Sequence, residues 1–315
     1  METAIPRVGW HAGPLSAARG VNEEELGPGA TPRSHSPEPP PEPLVKRDRS
    51  PAPILARVIR RVTATRYVTP LREGGSLPAI VEADDDGLYV AKFLGAGHGV
   101  RALVAELIAG EIGRALGLLV PEIVLLDFDP RLAAAEPDAE IRELLQRSSG
   151  LNVGLDFLPG ALGFDPAAGF RPTADLCADI VWFDAFVTNV DRDARNTNML
   201  VWHKRLWLID HGSALYIHHS WRDPAGHARK PLVEIKRNVL LPYAGSILEA
   251  DERLAPKVTH ELLVGIIASV PDEWLPPEAD RPDPAAHRAA YLDYLERRLA
   301  PPRLFAEEAE RVRVA

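Results

Sequence analysis

The chain has 315 residues, 46% hydrophobic and 26% charged, enough apolar material for one large core or two modest ones and too much for a disordered or fibrous protein. Its 36 Lys and Arg against 45 Asp and Glu give a net charge of -9; with no long Lys/Arg tract, this argues against a general nucleic-acid binder. The single cysteine, Cys177, excludes disulfide scaffolds and cysteine-rich zinc folds and points to a reducing cytoplasm, while no apolar run approaches the roughly 20 residues that cross a bilayer.

In chain order, residues 1–53 hold 11 of the 30 prolines and one aromatic residue, Trp10. Such a segment buries little and reads as a disordered, proline-rich extension. Glu2, with no basic stretch followed by an apolar one, argues against a signal peptide. From Ile54, short β-prone runs around Val58–Val68, at Ala79–Val81 and at Leu88–Leu94 predict a small antiparallel sheet, with Asp84–Gly87 as a hairpin in which Gly87 takes the positive φ. Leu103, Leu107, Ile108, Ile112 and Leu116 recur at helical spacing, and Gly117 ends that helix. A strand at Ile123–Leu126 and a surface helix over Asp138–Arg147 follow. After Gly150 the chain is expected to be mainly helical, with an apolar helix over Ala174–Thr188, a hairpin over Met199–Ile209, and helices near Val258–Val270 and Ala285–Leu299. The expected fold class is α+β: residues 54–150 form a sheet-rich half and 151–315 a helical half.

The polar segment Thr188–Asn198 is flanked by apolar elements and feeds the hairpin whose return strand ends at Asp210. Asp191, Asn196 and Asp210 can therefore converge. Carboxylate and amide oxygens of this kind suit Mg²⁺, which keeps waters and bridges to substrate phosphates. Asp191 is placed to orient an attacking hydroxyl and take its proton, as phosphoryl transfer requires.

Asp191-Arg192 with Asn196 five residues after the Asp, then Ile209-Asp210-His211-Gly212, resembles the catalytic and metal-binding loops of the HipA-like kinases and the related phosphatidylinositol kinases. The resemblance implies a two-lobed protein-kinase-like fold, ATP and Mg²⁺ as cofactors, Asp191 as catalytic carboxylate, and Asn196 and Asp210 as metal ligands. It further implies Gly74-Gly75-Ser76 as a phosphate-covering loop, Lys92 as phosphate clamp and Glu106 as its partner. A hinge at Leu151–Pro159, with Val153, Asp156 and Phe157, would read adenine through backbone groups. Independently, Glu106 sits beside an apolar helical stripe, where a carboxylate is costly without a cation. His211 stands where many protein kinases have Phe, and Asn189 where they have His. No module before Ile54 matches the extra N-terminal subdomain of full-length HipA toxins, which argues against an antitoxin partner.

The expected acceptor is a protein Ser or Thr hydroxyl, with a small-molecule hydroxyl and a nucleotide-binding module without transfer activity as alternatives. Glu111 and Asp184 read as ordinary surface or capping acids, and Arg192 and Arg195 as either phosphate contacts or members of ion pairs. Gly95-Ala-Gly97-His-Gly99 has the wrong spacing for a dinucleotide-binding turn. The histidines form no helix-borne metal pair, and there is no Gly-x-Ser-x-Gly nucleophile elbow.

Overall fold

The computed structural model describes residues 59–71, 77–97 and 99–315. The proline-rich segment and Gly74, Gly75 and Ser76 lie outside them. Five strands, β1 (Arg61–Pro70), β2 (Ala79–Ala83), β3 (Leu88–Lys92), β4 (Ile123–Phe128) and β5 (Gly150–Asp156), close into a barrel in the order β1-β2-β3-β5-β4. The expected antiparallel sheet is thus corrected in one respect. β1 pairs antiparallel with β2 but parallel with β4, Arg61 opposite Leu125, and that contact closes the ring. Two irregularities in the β1–β2 register, between Ala64 and Arg66 and between Tyr67 and Thr69, bend β1 enough to reach both neighbours.

β2 and β3 bury apolar residues on both faces. Ala79, Val81, Tyr89 and Ala91 fill the interior together with Phe93 and Phe128, whereas Ile80 and Val90 face outward into the core that includes α1 (Val100–Ala115). The helix can lie this close to β4 because it carries Gly110, where a Cβ would meet Ile123 Cδ1 at 2.4 Å. In the β2–β3 turn the left-handed residue is Asp86, φ +60°, and not Gly87. Asp tolerates that region, and Gly87 is needed for space, since a Cβ there would lie 2.8 Å from the Tyr89 ring.

Of the expected hinge Leu151–Pro159, the part up to Asp156 belongs to a full barrel strand, Gly150–Asp156, bonded to β3 and β4. Its Asn152 is buried with its amide satisfied: Nδ2 donates to the Ser148 and Gly150 carbonyls, and Oδ1 accepts the Leu94 amide at 2.8 Å. Those bonds anchor the turn between β3 and α1. α2 (Ala139–Gln146), N-capped by Asp138, covers the barrel with Ile141, Leu144 and Leu145.

A short strand β6 (Leu162–Gly163) pairs with the hairpin β7 (Met199–Trp202) and β8 (Arg205–Leu208) in a second sheet. The remainder is helical: α3 (Ala174–Phe186), α4 (Pro224–Ala228), α5 (Ile247–Leu254), α6 (His260–Ala268), α7 (Pro284–Leu299) and α8 (Leu304–Arg313). α3 is apolar all round, as suits a central helix; α5 and α8 pack against it, and α1 reaches α6. No helix among the described residues is long and apolar enough to cross a membrane.

Candidate active site

β3 places Lys92 with its side chain buried at the barrel wall, and α1 brings Glu106, fully buried, to within 3.2 Å of Lys92 Nζ. Lys92 also donates to Asp210 Oδ1. Burial alone would push the Lys92 ammonium down, but the Asp210 and Glu106 carboxylates outweigh it and raise its pKa. For Glu106, burial pulls upward, and Lys92 followed by His211 brings it well below the ordinary carboxylate range. His211 contributes twice: its backbone N–H donates to Glu106 Oε2 at 2.9 Å, and its Nδ1 lies 3.3 Å from Oε1. The aromatic position after Asp210 is thus filled by a ring that also bonds the α1 carboxylate, edge-on to Phe183.

Asp210 follows β8 in a left-handed conformation, φ +58°, and its side chain keeps 34% exposure. The preceding amide, Ile209 N–H, donates to the Asn198 carbonyl at 3.0 Å, so the end of β8 is tied to the loop carrying Asp191. In that loop Asn196 Nδ2 donates to Asp191 Oδ2 at 3.0 Å, Asn189 Oδ1 accepts the Asp191 amide, and Asn198 Nδ2 donates to the Asp191 carbonyl. Burial, then the charge of Asp210, raises the Asp191 pKa.

A hard divalent cation fits this donor set. Asn196 Oδ1 is buried with no hydrogen-bond partner, while the amide's other end is fixed on Asp191. An oxygen in that position beside two mutually repelling carboxylates is what a cation would satisfy. Among the described residues no group of three His, Cys, Asp or Glu side chains could hold a metal unaided, so phosphate oxygens and water would complete the shell.

At the expected hinge, Val153 is fully buried opposite Lys92 in the sheet. The amides of Asp156 and Phe157 already donate to the Glu122 and Leu88 carbonyls, at 2.8 and 2.9 Å. Neither amide is therefore free to read a base.

Asp184 is corrected from a surface acid to the buried organiser of the loop. Neither it nor Arg192 has any exposed side-chain surface, and Arg192 Nε donates to Asp184 Oδ2 at 2.8 Å. Asn189 and Asn238 complete the carboxylate's bonds, and a second Arg192 nitrogen donates to the Asn198 carbonyl. Arg192 is thereby a structural ion-pair member. The sequence did carry a signal: Asp184 is the one charge in Ile180-Val-Trp-Phe-Asp-Ala-Phe186, all buried, and a carboxylate there demands a partner.

The sequence model of the HipA-like kinase family matches residues 65–301. Among solved structures, the chain is similar to a proinflammatory kinase of Helicobacter pylori, CtkA, at 15% identity and a TM-score of 0.51 over 81% of this chain and 98% of that one. No curated protein matches.

Proposed function

This chain belongs to the HipA-like kinase family, and from that premise we propose that it is an ATP- and Mg²⁺-dependent phosphotransferase acting on a protein Ser or Thr hydroxyl. The observation that carries the reading is the unpartnered, buried Asn196 Oδ1 beside Asp191 and Asp210, next to the Lys92–Glu106 pair. Nucleotide would lie between the barrel and the helical part, which act as two lobes. Mg·ATP supplies the transferable phosphoryl group and the divalent charge that neutralises it. Asn196 and Asp210 would hold the cation. Lys92, kept charged by its two carboxylates and oriented by Glu106, binds phosphate. Asp191, with Oδ2 held by Asn196, positions the acceptor hydroxyl and takes its proton on the other oxygen. Burial and the charge of Asp210 raise its pKa, in the direction that makes a stronger base than an ordinary aspartate. Positioning and charge neutralisation supply most of the acceleration.

The test is transfer of labelled γ-phosphate from Mg·ATP by wild type and by Asp210→Ala, scored on the protein itself and on a lysate. Label with wild type alone supports the reading. Equal label from Asp210→Ala removes Asp210 from it, and a folded wild type that binds ATP without labelling any acceptor points to the binding module.

A further inference from the structure

Residues 193–237 carry eight Lys or Arg and four Asp or Glu in a chain whose net charge is -9. All eight cations are exposed, and six of them, Arg195, Arg222, Arg229, Lys230, Lys236 and Arg237, lie outside the β7–β8 hairpin. Among the described residues none of the six has a carboxylate within ion-pair distance, whereas exposed arginines elsewhere, such as Arg61, Arg66 and Arg131, are paired.

The fold gathers this charge around the loop that carries Asp191. Arg195 belongs to that loop, its amide bonded to Asp193 Oδ1 at 2.8 Å. Lys236 and Arg237 lead into Asn238, which pairs with Asp193 across an isolated β-bridge and bonds Asp184, while the Val239 amide donates to the Arg192 carbonyl. Arg237 lines the same small cavity as Asn189, Val190 and Arg192. Lys230 follows α4, and its carbonyl accepts from Arg298, the same guanidinium that bonds the Ala185 and Phe186 carbonyls at the end of α3.

Unpaired cations raise the local potential without the cost of breaking an existing ion pair, and arginines so placed recognise carboxylates bidentately. Resting on the kinase reading above, we propose that Arg195, Lys236 and Arg237 form the acceptor-docking surface and select a peptide segment with acidic residues flanking the hydroxyl. Val233, 54% exposed on the same segment, offers an apolar contact for such a peptide. A long polyanion such as RNA fits less well, because Asp193, Asp223 and Glu234 interrupt the patch and the chain as a whole is acidic.

The experiment measures binding separately from transfer. A fluorescein-labelled serine peptide flanked by glutamates, and its glutamine counterpart, are titrated with full-length protein by fluorescence anisotropy. The salt concentration is varied from about 50 to 300 mM, across which charge-driven binding weakens. The expected result is a preference of about tenfold or more for the acidic peptide at low salt. It should be lost in the triple variant Arg195→Gln/Lys236→Gln/Arg237→Gln and kept in Arg66→Gln, an exposed cation on the barrel. Equal binding of both peptides, or an undiminished preference in the triple variant, would overturn the proposal. So would displacement of the acidic peptide by a single-stranded RNA that binds more tightly. Transfer assayed in parallel separates the two claims: phosphorylation of both peptides alike keeps the kinase and removes the acidic selectivity, whereas salt-sensitive binding without transfer keeps the surface and removes the kinase.

Discussion

Glu106 holds Lys92 and His211 at once, its Oε2 lying 3.2 Å from the Lys92 ammonium and accepting the His211 amide at 2.9 Å. One buried carboxylate on α1 therefore fixes both the β3 lysine and the residue that follows Asp210. Glu106→Gln keeps the shape but removes the charge, leaving buried Lys92 with Asp210 alone. Losing one partner of a buried pair costs about 3–5 kcal/mol when nothing compensates; with Asp210 still present, a loss of roughly 1–3 kcal/mol is expected. Because Lys92 would be drawn wholly to Asp210, phosphotransfer should fall by about 10–100-fold. Urea denaturation and steady-state kinetics check both. In a double-mutant cycle Lys92→Met/Glu106→Gln should lose less than the sum of its singles, and strict additivity would mean that the two side chains do not act as a unit.

Asp191 has its pKa raised, first by burial and then by Asp210. For a carboxyl whose folded pKa exceeds its unfolded value, the folded state binds the proton more readily. Its stabilising contribution is present at low pH and lost as pH rises through the folded pKa. At neutral pH an ionised Asp191 is thus a cost to the apo protein. Asp191→Asn should melt at a slightly higher temperature than wild type at pH 7, by a few degrees at most, since about 1 kcal/mol moves a chain of this size by roughly 2–4 °C. It should have no phosphotransfer activity. Thermal melts of wild type and Asp191→Asn across pH test the sign. A lower melting temperature for Asp191→Asn at pH 7 would refute the assigned strain.

Glu106 was legible because it is a charge set beside an apolar helical stripe, where it needs a cation partner, whereas Lys92 was named only through the family resemblance, since a lone strand lysine is more often solvated. Four of the five barrel strands were legible too, as short runs of β-prone residues between turn signals. Ring closure was not: the parallel contact of Arg61 with Leu125 joins segments 64 residues apart, and no local pattern encodes a non-local pairing. Gly150–Asp156 resisted for a related reason. Asn152 and Gly154 interrupt its apolar run, and both make sense only in three dimensions, Asn152 by holding the Leu94 amide and Gly154 because a Cβ would meet Val124 at 2.8 Å. Arg192 was ambiguous between substrate contact and ion pair until α3 placed Asp184 against it.

The Asp184–Arg192 pair yields a contrast between breaking and replacing. Asp184→Ala strands a buried guanidinium and frees the amides of Asn189 and Asn238, so a loss of about 3–5 kcal/mol is expected. The double variant Asp184→Leu/Arg192→Met leaves no buried charge and should recover much of that loss. It should not recover activity, because the Asp191 loop loses the bonds through which Arg192 and Asn189 hold it. Denaturation midpoints and kcat of the three proteins provide the test. A double variant as active as wild type would show that the knot serves stability alone.

Arg298 on α7 is buried, among the described residues it has no carboxylate in contact, and it is stabilised by carbonyls instead. Nε and Nη2 donate to the Phe186 and Ala185 carbonyls at 2.8 and 2.7 Å, and Nη1 reaches those of Ala228 and Lys230. The first two close the C-terminal end of α3, where the helix dipole favours a cation, and the guanidinium lies 5.1 Å from the centre of the Phe305 ring. Burial lowers its pKa, and the carbonyl acceptors offset the cost of burying the charge. Arg298→Lys cannot reproduce this fork. Three donors on a compact, strongly hydrated ammonium would leave carbonyls unpaired, and a loss of about 2–4 kcal/mol follows. Lysine should be no better here than methionine, which leaves the carbonyls unpaired but buries no charge. Because α3 ends two residues before Thr188, both variants should lower kcat more than they raise KM for ATP, which depends on the barrel. Urea melts and steady-state kinetics of the two variants decide it: Arg298→Lys within about 0.5 kcal/mol of wild type would show that charge alone, without the fork, holds the end of α3 in place.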